Sequence, residues 1–69
     1  MAETRLYVVS SPAEARSIAA GLRAAGYAAT ADLRSVRPMV SVMVEPDDWF
    51  NVEAIVRGHD PSATLMETD

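Results

Sequence analysis

The chain contains no cysteine. Disulfide staples and thiolate metal sites are therefore excluded, and with them two of the devices by which very small domains offset a thin core. There is one histidine, His59, which cannot make a zinc site without several carboxylates beside it. Lysine is absent and all six basic residues are arginines. The three glycines, Gly21, Gly26 and Gly58, stand apart from one another, so there is no glycine-rich phosphate loop or dinucleotide-binding motif, and one histidine cannot make a metalloprotease motif. No apolar run approaches a membrane span or a signal-peptide core, and residues 1–5 are mostly polar and charged. These absences give the expectation of a cytoplasmic chain with no membrane partner.

What is present is 69 residues, 49% of them hydrophobic and only 6% aromatic. That is enough for one core, so residues 1–69 are read as a single domain. Without staples, stability must come from regular packing or from self-association. The net charge of −4 is unevenly spread. Up to residue 39, five arginines face Glu3, Glu14 and Asp32; from residue 40 onward Arg57 faces seven carboxylates. An acidic whole disfavours direct nucleic-acid contact, which needs clustered cations to neutralise phosphates. The asymmetry hints instead at an interaction surface.

Residues 4–9 are β-branched and aromatic and read as a strand. Ser11, Pro12 and Glu14 then form a helix start, with a capping serine, a first-turn proline and a glutamate placed to close a capping box. Ala15, Ile18, Ala19, Leu22 and Ala25 keep helical spacing. Gly26 supplies the stop, and Gly21 suggests a close approach to the sheet. Residues 27–34 give a weaker, alanine-rich strand, and residues 35–38 a turn. Met39, Val40, Ser41, Val42, Met43 and Val44 form the clearest strand, its valines directed at the helices. A second helix follows from Glu45 and Pro46, with Asp47 and Asp48 where the helix dipole favours negative charge. Trp49, Val52, Ile55 and Val56 make its buried stripe, and Gly58 its stop. A short strand over 63–67 closes the chain. This order predicts an α+β, ferredoxin-like βαββαβ fold: a four-stranded antiparallel sheet with two helices on one face.

The run Val8-Val9-Ser10-Ser11-Pro12-Ala13-Glu14-Ala15, continued by Leu22-Arg23-Ala24-Ala25-Gly26-Tyr27, resembles the first half of small bacterial ferredoxin-like domains. SPOR repeats and PII-like signal-transducing domains are among these. The resemblance implies the same fold. SPOR repeats bind cell-wall glycan outside the cytoplasm, which needs an export signal. PII-like domains sense small ligands at oligomer interfaces through loops longer than the turn at 35–38. No functional residue carries over one by one.

Two pairs could carry chemistry. Asp47 and Asp48 could serve as paired carboxylates, but adjacent helical residues point about 100° apart and rarely converge on one ion. His59 and Asp60 could be a base and its orienter, but no motif places a nucleophile beside them. No catalytic residue, metal ligand or cofactor is assigned. Two surfaces stand out instead. Strand alternation puts Tyr7, Val9, Met39, Met43 and Met66 on the sheet face turned away from the helices, an apolar patch of the kind that marks interaction sites. RNA-recognition modules use that face through aromatics on both central strands, whereas here Tyr7 stands alone. Glu45, Asp47, Asp48, Glu53 and Asp60 form an acidic surface around the second helix, able to engage an arginine-rich partner. The expected function is a non-catalytic protein-interaction or regulatory module that binds another protein, with a homodimer among the outcomes. One alternative is an acidic inhibitor of a nucleic-acid-handling complex, similar to phage anti-CRISPR proteins in size and charge. The other is a small-ligand sensor.

Overall fold

A computed structural model describes residues 2–34 and 36–66. The turn residue Ser35, the expected strand end Glu67 and the acidic Asp69 lie outside them. The elements are β1 (Glu3–Val8), α1 (Pro12–Ala24), β2 (Ala28–Asp32), β3 (Met39–Val44), α2 (Trp49–His59) and β4 (Thr64–Met66). The strands form one antiparallel sheet in the order β2-β3-β1-β4. This is the ferredoxin-like arrangement, with β1 and β3 in the centre.

α1 begins where its sequence says it should. Ser11 is extended, and its Oγ accepts the Glu14 N–H at 3.2 Å while Pro12 occupies the first turn. The capping box is closed from one side only, because Glu14 Oε2 is buried with no hydrogen-bond partner among the described residues. Ala15, Ile18, Ala19 and Leu22 are buried, whereas Ala25 sits exposed at the C-cap. Gly26 takes φ +98°, which lets the chain reverse so that the Tyr27 N–H reaches the Leu22 carbonyl at 3.0 Å. β2 is shorter than the expected 27–34, and Leu33 beyond it is exposed. Arg23 Nε donates to the Ala29 carbonyl of this edge strand at 2.7 Å.

α2 departs from expectation at both ends. Pro46 to Asp48 form a single 3₁₀ turn, in which the Asp48 N–H bonds Glu45 O at 2.9 Å, before the α-helix starts at Trp49. Gly58 lies inside the helix, which runs to His59. It stops there because Asp60 is extended and Pro61 cannot continue a helix. Gly21 does allow a close approach, but to α2 and not to the sheet: a Cβ at Gly21 would lie 2.9 Å from His59 Nε2.

The core lies between the sheet and both helices. Val40, Val42 and Val44 point into it with Tyr7, Val9 and Ala29. Ala15, Ile18, Ala19 and Leu22 of α1 and Val52 and Val56 of α2 meet them, and Ala63 closes one corner. Tyr7 and Val9 are thus core residues, not members of the open face. In the ladder Tyr7 stands opposite Val40 on one side and Leu65 on the other, so all three share the helix side. Tyr7 is only 1% exposed. The residues of β1 that do face away are Thr4, Leu6 and Val8, one position off the expected phase. Trp49, placed on the buried stripe of α2, instead stands at the rim, 36% exposed, with the Arg5 guanidinium 4.6 Å from its ring centroid.

Candidate functional site

The ladder registers fix the layout of the face that carries no helix. Its outer row holds Ala28, Met43 and Thr4 on β2, β3 and β1. The middle row holds Thr30, Ser41, Leu6 and Met66, and the last row Asp32, Met39, Val8 and Thr64, each running from β2 to β4. Cross-strand partners project from the same side, so these eleven residues form one surface. Met43 is 53% and Met66 41% exposed, while Leu6, Val8 and Met39 are half-buried among their neighbours. The remaining positions carry alanine or hydroxyl side chains. Asp32 at one corner is the single charge among them.

The relief of the face is uneven. Leu6, Val8 and Met66 raise the β1–β4 side. On the other side Met39 and Met43 flank the small Ser41 of β3, and beside Ser41 Thr30, Ala31, Asp32, Leu33 and Arg34 line with it a shallow open depression of about 430 Å³. Of the five residues expected on this face, Met39, Met43 and Met66 are there. The register brings Leu6 and Val8 into the places given to Tyr7 and Val9.

The acidic surface is smaller than its sequence suggested. Glu45 and Asp47 are exposed and Asp48 is half-buried at the start of α2. Glu53 pairs with Arg57 one turn on, at 3.8 Å between largely exposed side chains, a contact of about 0.3–0.5 kcal/mol. Asp60 does not belong to the surface. It is 5% exposed, and its carboxylate is saturated. Oδ2 accepts the Ser10 N–H and hydroxyl, both at 2.8 Å, and Oδ1 accepts the Ser62 hydroxyl at 2.7 Å and N–H at 3.1 Å. The Ser62 and Ser10 hydroxyls, followed by the Ser10 amide, lower its pKa to about 2. The carboxylate is therefore spent on joining the end of β1, the end of α2 and the approach to β4. It is not available to orient His59 as a base.

One feature escaped the sequence reading. Phe50 is 88% exposed, on the outer side of α2 beside Trp49. The signal was its position next to the buried stripe: Val52 and Val56 face inward, so a residue two before Val52 falls on the far side of the helix.

Among the described residues no group of three or more histidine, aspartate or glutamate side chains is placed to hold a metal ion, and no helix is long and apolar enough to cross a membrane. No family model matches the chain, and no curated protein matches it.

Proposed function

We propose that the chain is a non-catalytic protein-interaction module, regulatory in character, whose contact surface is the uncovered face of the sheet. The observation that carries this reading is that face itself. Leu6, Val8, Met39, Met43 and Met66 project from three neighbouring strands, with one carboxylate at a corner and no helix of the described residues above them. Contiguous apolar patches of this kind are rare on surfaces that meet only water. The methionines suit a contact surface because the thioether chain adapts its shape to what it meets.

The acidic start of α2 is a second and smaller contact. Glu45, Asp47 and Asp48 shortly precede the exposed Phe50 in the chain, so a large apolar side chain and carboxylates share the start of α2. Exposed aromatics in such settings commonly anchor interfaces.

Site-specific photo-crosslinking in the native cells tests the reading. A photoreactive residue at position 43 captures a protein, whereas one at Arg16, exposed on α1, does not. Position 43 giving no adduct where the protein is expressed and folded would sink the proposal. Met43→Glu leaves folding intact, because Met43 lies outside the core, and abolishes the contact.

A further inference from the structure

We infer that the occupant of the sheet face is a second copy of this chain, stacked face to face about a two-fold axis that runs parallel to the strands between β3 and β1. The inference rests on the reading of that face as a contact surface. The support is its self-complementarity. Rotation about such an axis carries β2 of one copy over β4 of the other and β3 over β1, and leaves each row of the ladder in its own row. Leu6 of one copy then stands over Ser41 of the second, and Met66 over Thr30. The raised side of each face enters the depression lined by Thr30 and Ser41 in the other. Met39 meets Val8, and Asp32 falls on the side of a hydroxyl, Thr64. An in-plane axis across the strands would instead set Leu6 on Leu6 and Ser41 on Ser41, ridge against ridge and hollow against hollow. Sheet twist turns stacked sheets by about 30°, so the axis bisects the two strand directions; the outer strands are displaced most, and Leu6 and Ser41, beside the axis at the centre of the face, least.

Area and charge point the same way. The broad dimensions of the fold are 29 × 28 Å. An ellipse of those axes covers about 640 Å², so full contact of two copies removes up to ~1,300 Å² from water, at the lower end of the ~1,200–2,000 Å² of stable interfaces. Each copy carries a net charge of −4, yet each face has the one carboxylate, so the repelling charges lie away from the contact.

The test is sedimentation equilibrium of the purified chain, with circular dichroism to confirm folding. The wild type is expected at twice 7.4 kDa at micromolar concentration. Leu6→Ser, which removes the ridge, and Ser41→Leu, which fills the hollow, each raise the dissociation constant at least tenfold. The double exchange Leu6→Ser/Ser41→Leu restores dimerisation, because ridge and hollow trade places in both copies. Ser41→Leu strengthening the dimer would overturn the strand-parallel axis, and a monomer at millimolar concentration would overturn the second copy. In that case, an adduct from position 43 with a different protein leaves the face a contact surface, and no adduct removes both readings.

Discussion

Replacing Tyr7 by phenylalanine should stabilise the protein. Tyr7 is 1% exposed in the centre of the sheet, and its hydroxyl is buried with no hydrogen-bond partner among the described residues. A buried hydroxyl left unpaired forfeits its hydration, at about 1–3 kcal/mol. Phenylalanine keeps the ring and its packing and removes only the oxygen. Allowing for the small void, the net gain is about 1 kcal/mol, or roughly 4–8 °C in Tm for a domain of this size. The same burial raises the pKa of the Tyr7 hydroxyl, against the opposing pull of Arg5. The folded state therefore holds its proton after the unfolded chain has released it. The unfolded state then binds fewer protons, so the stability present below about pH 10 falls as pH rises beyond it. Urea unfolding followed by circular dichroism checks both parts. The Tyr7→Phe midpoint should lie above the wild type at pH 7 with an unchanged slope, and the gap should widen above pH 10. A loss of 1 kcal/mol or more at pH 7 would refute the reasoning, because it would mean that the hydroxyl has a partner worth keeping.

Asp60 sets an acid limit. Its folded pKa of about 2 lies below the ordinary carboxylate value, so its contribution is complete above about pH 4 and lost as pH falls toward 2; urea midpoints between pH 5 and 2 should show a steeper decline for the wild type than for Asp60→Asn. Gly26→Ala should cost about 1 kcal/mol, because φ +98° is poorly tolerated by a side chain, as read by the thermal midpoint. Gly58→Ala should add about 0.5–1 kcal/mol, since Gly58 is helical and nothing lies within 4 Å of the new Cβ. Gly21→Ala should stabilise by up to about 1 kcal/mol in a His59→Ala background and by less beside His59, whose imidazole tip must move away from the new Cβ at 2.9 Å; equal effects in both backgrounds would dismiss the contact.

The fold could be read from the chain because its strongest local signals agree. Ser11, Pro12 and Gly26 bracket one helix, Pro46 and Pro61 frame the other, and alternation along β3 is unambiguous. The phase of β1 could not be read. Leu6, Tyr7, Val8 and Val9 are all apolar, so the pattern does not say which alternate pair faces inward, and only pairing with Val40 and Leu65 settles it. Asp60 was misplaced for a related reason. An aspartate beside a proline turn reads as surface, and nothing local reveals that serines some fifty residues away in one direction and two in the other converge on it. Trp49 and Phe50 show the limit of helical periodicity at a helix start, where a 3₁₀ turn resets the angular count.

The Asp60 clamp has a consequence for the margins of the sheet. β4 is three residues long, and the clamp fastens the chain just before it. Once protonation loosens the clamp, β4 is the element with least to hold it, and its departure would leave β1 as an outer strand. Leu6, Tyr7 and Val8 would then present unpaired backbone groups with no charged side chain among them, the composition that invites strand-to-strand growth. The opposite margin is blunted by Arg23 on the Ala29 carbonyl, a contact between a guanidinium and a main-chain oxygen that acid leaves intact. Acid-induced aggregation would thus begin from one side of the molecule only, and a single carboxylate would act as its safety catch.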